Sequence, residues 1–324
     1  MKKLCCALAL SLCVGAAVAG PFDKTECIAG AKPGGGFDLT CRLAQSGLFD
    51  AHLIKDPMRI TYMPGGIGAV AYNAIVGQRS AEPNTIVAYS GGSLLNIAQG
   101  KFGKYTENDV RWLSIVGADY GVVAVRKDSP YKSLKDLAAA LKADPSKIVF
   151  GAGGTVGSQD WMKAALTAKI AGVSHKTMRF VAFEGGGEAM SALQGGHVQV
   201  YSGDASELSS QMKAGANVRL LAVFADKRLP GELAEVPTAK EQGYDVEWPI
   251  VRGFYMGPKV SDADFNAWTE AFNKMMRTPE FAKVREERGM YPFSMTGPML
   301  DTYIKRYVQQ YRKLAEEFGL VGAK

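Results

Sequence analysis

Five glycine-rich segments each stand between a short apolar run and a helix-like stretch. They are Gly34-Gly35-Gly36, Pro64-Gly65-Gly66-Ile67-Gly68, Ser90-Gly91-Gly92-Ser93, Gly153-Gly154-Thr155-Val156-Gly157-Ser158 and Gly185-Gly186-Gly187. The first turn of a helix leaves backbone N–H groups unpaired and carries partial positive charge, so it binds anions. Glycine lets that backbone approach a guest with no Cβ in the way and permits φ > 0. Glycine supplies 37 of the 324 residues, well above the usual ~7%, and the excess lies at these junctions. One such segment is an ordinary tight turn. Five in equivalent positions point to an anion pocket outside the carboxyl ends of a set of strands, where open α/β sheets bind ligands.

Other chemistries fit less well. Gly66-Ile67-Gly68-Ala69-Val70-Ala71 matches the relaxed dinucleotide pattern G-x-G-x-x-A, but the next strand ends in Ser90 where an acid should hold the ribose. No G-x-x-x-x-G-K-[ST] phosphate loop occurs. His52, His175 and His197 are the only histidines, and none has metal-ligand spacing with another His, Cys or carboxylate. Gly157-Ser158 lacks the flanking residues of a nucleophile elbow. The expectation is a binding protein with no catalytic set, cofactor or metal.

The elements that must carry these loops follow from the periodicity. Strand-like runs at 27–31, 59–63 and 85–89 alternate with helical spacing, and the pattern restarts after 122–125 with runs at 147–152, 178–183, 197–201 and 218–225. Ser133-Leu134-Lys135-Asp136 reads as a capping box. A last strand near 250–257 precedes helices at about 261–277, 279–288 and 297–318, with no further strand expected between them. Strands alternating with helices argue for mainly parallel sheets. Two such sets and a return strand imply two lobes, with crossings near 122–126 and 250–257. The expected division is a leader at 1–19, a first lobe at 20–122 completed by 251–324, and a second lobe at 123–250.

The leader reading rests on Lys2 and Lys3, the apolar stretch 4–18, and the small-x-small site Ala17-Val18-Ala19. The apolar stretch is short for a membrane span. Export implies the periplasm, and losing Lys2 and Lys3 lowers the formal charge from +6 to +4. That excess is spread along the chain with no basic run, so nucleic acid is not an expected partner. Cys5, Cys6 and Cys13 fall in the leader. Cys27 and Cys41 remain, on a strand and the following helix, and an oxidising compartment favours a bridge over two buried thiols.

Lys32-Pro33-Gly34-Gly35-Gly36-Phe37-Asp38 and Met63-Pro64-Gly65-Gly66-Ile67-Gly68-Ala69 resemble the first two loops of tripartite tricarboxylate transporter receptors. Phe183-Glu184-Gly185-Gly186-Gly187 with Leu193-Gln194-Gly195-Gly196-His197-Val198 resembles their second-lobe signature, as does Arg219-Leu220-Leu221-Ala222-Val223 with Val236-Pro237-Thr238-Ala239-Lys240-Glu241-Gln242-Gly243-Tyr244. Glu26-Cys27-Ile28-Ala29 and Trp248-Pro249-Ile250-Val251-Arg252-Gly253-Phe254 resemble the citrate-binding branch. The resemblance implies a type II periplasmic binding protein: two α/β lobes with mixed, mainly parallel sheets, joined by two crossover strands and closing on a carboxylate. It implies ligand contacts from Gly35, Gly36, Phe37 and Asp38, and from Gly65, Gly66, Ile67, Gly68 and Ala69. It adds Ser90, Gly91, Gly92, Ser93, Thr155, Val156, Gly157, Ser158 and Asp204. Glu184 stands where the family often has lysine.

Read by themselves, several of these residues have a local alternative. Asp38 is either a ligand-loop residue or a helix cap. Ser90, Ser93, Thr155 and Ser158 either donate to a carboxylate or cap their own helices. Asp204 is either a partner for a ligand hydroxyl or a cap. Arg252, on the return crossing, is the preferred charge partner, because guanidinium suits bidentate carboxylate pairing; its alternative is a salt bridge between lobes. Tyr303, Tyr307 and Tyr311 share one helix face and read as packing. The implied function is capture of citrate or a related tricarboxylate, or of a dicarboxylate, by a monomer. The implied partners are membrane transporter subunits, or a sensor kinase if the receptor signals.

Overall fold

The structure is a computed structural model that describes residues 21–33, 36–183 and 185–321. The expected leader, with Cys5, Cys6 and Cys13, lies outside the described residues, as do Gly34, Gly35 and Glu184.

Three strand–helix units come first: β1 (Glu26–Ala29), α1 (Gly36–Asp50), β2 (Arg59–Tyr62), α2 (Ala69–Gly77), β3 (Thr85–Ser90) and α3 (Gly91–Ala98). β4 (Arg111–Arg126) leads to α4 (Leu134–Ala143), β5 (Val149–Gly153), α5 (Gln159–Ile170), β6 (Arg179–Phe183), α6 (Gly186–Gln194), β7 (Val200–Asp204), α7 (Ala205–Lys213) and β8 (Val218–Phe224). The return strand β9 (Pro249–Met256) precedes α8 (Asp262–Met275), α9 (Pro279–Glu287), β10 (Met295–Thr296) and α10 (Gly297–Glu317). β1 and β3 are buried along their whole length, as expected for parallel strands covered by helices on both faces.

Two sheets share β4. The first runs β2-β1-β3-β9-β4, and the second places β4 between β8 and β7, followed by β5 and β6. Residues 111–120 of β4 pair with β9, and residues 121–126 pair with β8, with β7 on the opposite side. The expected strand at 122–125 is therefore only the far end of a 16-residue strand. Gly117, Asp119 and Gly121 break its apolar run, so its first half does not read as strand. The expectation of no strand among the terminal helices also fails: β10 pairs antiparallel with β4 at Ser114 and Ile115. Two residues are too few to show an alternation. Among the described residues no helix is long and apolar enough to cross a membrane.

The helix starts follow from local chemistry. Ser133 Oγ accepts from the Asp136 N–H at 3.1 Å and Asp136 Oδ2 accepts from the Ser133 N–H at 3.0 Å, the reciprocal pair of a capping box. Thr278 caps α9 by accepting from the Phe281 N–H at 3.2 Å, with Pro279 in the first turn. Tyr307 donates to the Pro249 carbonyl at 2.6 Å, and Tyr311 to Tyr307 at 3.2 Å. The tyrosine row of α10 thus packs and also ties that helix to the start of the return strand.

Cys27 and Cys41 are bridged, with Cα atoms 5.7 Å apart. The bond clamps β1 to α1, inside a core that includes Phe254, Trp268 and Phe281. Closing a loop of 14 residues' separation constrains the unfolded chain by about 3 kcal/mol. Replacing both cysteines by serine is expected to lower the unfolding free energy in urea by about that amount, and reductant should do the same to the wild type. Unchanged urea midpoints would show that the bridge adds no stability.

Candidate functional site

The first-lobe loops meet one another. Phe37 and Asp38 are buried in the first turn of α1. The Asp38 carboxylate accepts from the Tyr62 hydroxyl at 2.8 Å and pairs with Arg42 Nε at 3.0 Å, so it fastens α1 to β2 instead of occupying the cap position. In the second loop Gly65, Gly66, Ile67 and Gly68 all have positive φ, at 138°, 57°, 51° and 93°. For a β-branched residue such as Ile67 this is a strained conformation, of the kind that clusters at ligand-gripping sites. α2 then starts at Ala69. A Cβ at Gly68 would lie 3.6 Å from Ser93 Oγ and 3.7 Å from the Phe37 ring, so the first three loops share one corner. Asn96 closes it by donating to the Gly66 carbonyl at 3.2 Å.

The third and fourth loops turn their hydroxyls inward on themselves. The Ser90 N–H donates to Ser93 Oγ at 3.3 Å. Ser158 Oγ accepts from the Trp161 N–H at 3.2 Å and donates to the Gly153 carbonyl at 3.1 Å. Gly91 and Gly92 are buried in α3, while Thr155 and Val156 are exposed. The lobes touch here: Gln99 donates to the Gly157 carbonyl at 2.9 Å.

At the seam where β4 changes sheets lies a cluster of charges that sequence reading did not assemble. Lys163, on α5, has no exposed surface. Its ammonium donates to the Gly203 carbonyl at 2.8 Å and to Asp204 Oδ1 at 2.6 Å, and pairs with Asp160 Oδ1 at 2.7 Å. Two of its three protons make these hydrogen bonds, and the Asp160 contact is an ion pair. Burial alone lowers its pKa, but Asp160 and Asp204 outweigh that and hold it above the usual lysine range. Asp204 occupies the cap position of α7 without capping it; its second oxygen accepts from Arg252 Nη2 at 3.3 Å and from Gln159 at 3.4 Å. Asp119, fully buried, takes the N–H groups of Tyr120 at 2.8 Å and Ser206 at 3.1 Å and the Ser206 hydroxyl, and lies 3.6 Å from Arg252 Nη2.

Arg252 is only 5% exposed. Of the five N–H donors of a guanidinium, its one hydrogen bond among the described residues is the long one to Asp204. Its Nε is buried without a partner, and its Nη1 makes no hydrogen bond among the described residues. Nη1 lies against Gly36, where a Cβ would come within 2.1 Å. Both residues line a cavity of about 390 Å³ between the lobes, together with Gly186, Tyr201, Ser206 and Glu207. Arg288 and Lys213 also line it.

Of the residues expected at the site, Gly36 and Arg252 reach this cavity. Asp204 stands behind Arg252, and the loops at 65–69, 90–93 and 155–158 lie outside its lining. Missed were Asp119, Asp160, Lys163, Tyr201, Ser206 and Glu207. One signal was present: a lysine in Trp161-Met162-Lys163-Ala164-Ala165 sits inside an apolar run, and buried lysines require partners.

Comparison with known proteins bears on the family and the fold. The family described as "Tripartite tricarboxylate transporter family receptor" matches residues 104–320. A curated relative from Cupriavidus necator, "UPF0065 protein in gbd 5'region", is 24% identical over 94% of this chain and 90% of its own length. The malate-bound MatC of Rhodopseudomonas palustris superposes with a TM-score of 0.76 at 17% identity, over 90% of this chain and 98% of its own. An adipate-bound protein of the same organism gives 0.79 at 17% identity, over 91% and 97%.

Two measurements check the cluster. Lys163→Met leaves Asp160 without its cation and Asp204 with Arg252 alone, and is expected to cost roughly 3–5 kcal/mol; adding Asp160→Asn and Asp204→Asn should recover much of it in urea titrations. Burial, with Asp204 beside it, raises Asp160 to about 6, although Lys163 opposes the shift. Burial and the nearby Asp204 and Asp160 raise Glu207 to about 8. Unfolded, both carboxyls titrate near their ordinary values, 3.8 and 4.5, so between those values and pH 8 the folded state binds more protons. Their stabilisation is complete below the unfolded values and is lost as pH rises toward 8. The urea midpoint should therefore be higher at pH 5.5 than at pH 8; a reversed order would refute the buried-acid description.

Proposed function

This chain belongs to the tripartite tricarboxylate transporter receptors, and on that premise we propose that it captures a small di- or tricarboxylate between its lobes and delivers it to the membrane subunits of such a transporter. Its fold is the α/β periplasmic binding fold, and the family consists of solute-binding receptors, not enzymes. The observation that carries the proposal is Arg252: a buried cation with most of its donors unused among the described residues, facing a cavity at the start of α1. A buried charged donor without acceptors costs more than 1–3 kcal/mol, and a carboxylate on Nη1 removes that cost. Arg288 and Lys213 can take a second carboxylate. The malate and adipate held by the two R. palustris proteins support acids of this class, and citrate is the guest to which the sequence resemblance points. The cavity volume falls within the ~300–1,000 Å³ typical of small-molecule sites.

On this reading residues 1–19 form the leader, cleaved after Ala19, and the receptor works in the periplasm. The first lobe comprises 20–122 with 251–324 and the second 123–250. Guest binding favours the closed form through contacts that both lobes make with it.

A thermal-shift panel of citrate, malate, adipate, a sugar and an amine tests the proposal. A guest at a hundred times its Kd adds about 2.7 kcal/mol of stability, so at least one acid should raise the melting temperature and the neutral and cationic compounds should not. Arg252→Lys keeps the charge facing Asp204 but loses the fork, and should weaken the best acid by about tenfold or more. Stabilisation by the sugar or amine alone would end the carboxylate reading.

A further inference from the structure

Glu207, in the first turn of α7, faces the same cavity from the second lobe. Its Oε2 accepts from the Tyr201 hydroxyl at 3.2 Å. It fills the space left at Gly186, where a Cβ would lie 2.1 Å from Oε2. Its Oε1 has no hydrogen-bond partner among the described residues. No cation forms a salt bridge with it among the described residues: Lys163 pairs with Asp160 and Asp204, and the Nη2 of Arg252 faces Asp204 and Asp119.

The groups around this carboxyl come from every element packed against it. β7 supplies Asp204 and Tyr201, α5 supplies Asp160 and Lys163, β9 supplies Arg252, and β4 supplies Asp119 through its bonds to Ser206. Glu188 lies in the first turn of α6, and Lys213, Glu287 and Arg288 line the cavity farther out. A half-buried acid with no salt bridge among the described residues and two carboxylates close by favours its protonated form.

We propose that Glu207 is a protonated hydrogen-bond donor to a guest carboxylate, and so a specificity-determining residue that makes capture depend on pH. This rests on the reading of the cavity as a carboxylate site. Because the Tyr201 hydroxyl donates to Oε2, the carboxyl proton belongs on Oε1, the oxygen left free for the guest. The cavity then offers donors from both lobes: Arg252 Nη1 beside Gly36, and Glu207 Oε1–H beside Gly186. An ionised Glu207 would repel a carboxylate at that position. The elevation to about 8, caused by burial and by Asp204 and Asp160, leaves the group neutral at pH 7.

The test is calorimetric titration of malate, adipate and citrate into wild type and Glu207→Gln from pH 6 to pH 9. Carboxylates of the guests stay ionised above pH 7, and Tyr201 is pushed well above its ordinary value, first by burial. Wild-type affinity should be flat to about pH 7 and fall about tenfold by pH 9, as the protonated fraction of Glu207 falls. Glu207→Gln, which keeps an N–H donor at every pH, should bind with little pH dependence. Wild type at pH 8, titrated in two buffers of different ionisation enthalpy, should take up about half a proton per guest, a readout that needs no variant. Binding that is equally flat in both proteins, without proton uptake, overturns this inference alone. Affinity for these acids that rises from pH 7 to pH 9 overturns it, because ionising Glu207 would then aid binding instead of opposing it. No binding of any of the three acids at pH 6 overturns the carboxylate reading and this inference with it.

Discussion

A guanidinium taken out of water must find acceptors, and at Arg252 the fold supplies only some of them. Asp204 and Asp119 hold one edge, at 3.3 and 3.6 Å, while Nη1 is left beside Gly36 in the cavity wall. Much of the surrounding structure exists to keep that arrangement in place. Lys163 holds Asp204 from behind, Ser206 and the Tyr120 N–H hold Asp119, and the Asp38–Tyr62–Arg42 contacts set the start of α1. Buried ion pairs of this kind add little net stability, because desolvation offsets their attraction. Their value here is geometric. They aim one cation at one place.

On the proposed function, the position of the cluster makes closure and recognition one event. Arg252 lies on β9 in the first-lobe sheet, and Asp204 ends β7 in the second. β4 crosses between the sheets at Asp119 and Gly121, beside both. A guest on Nη1 therefore touches the seam about which the lobes are joined. α10 braces the same seam, through the Tyr307 bond to the Pro249 carbonyl. Contacts such as Gln99 to Gly157 join the lobes away from the cavity lining, so on the proposed function the differential energy of ligand binding comes from the cavity wall.

How much was legible in the sequence depends on the range of the physics involved. Strand and helix alternation, the Ser133–Asp136 capping box, Pro279 at a helix start and the Cys27–Cys41 bridge all follow from short spacings, and the structure contains them. β10 and the first half of β4 were not legible: one is two residues long, and the other is interrupted by Gly117, Asp119 and Gly121, which are there because the strand changes sheets. In the site, the glycine loops stood out through composition, and Arg252 through its place on the return strand. Lys163, Glu207 and Asp119 did not. The partners of Lys163 and Asp119 lie 41 and 87 residues away, which local periodicity cannot reveal, while Glu207 bonds to Tyr201 only 6 residues back but meets its other neighbours from α5 and β9. The serines illustrate the converse: Ser93 and Ser158 look like ligand donors in sequence, yet each is engaged at its own helix start.

The most direct measurement is a crystal structure of the receptor with malate or citrate bound. A carboxylate oxygen within about 3.2 Å of Arg252 Nη1, at the start of α1 and with Nη2 still on Asp204, is the expected result. A carboxylate bound elsewhere, with the Arg252 donors still unoccupied, would contradict it.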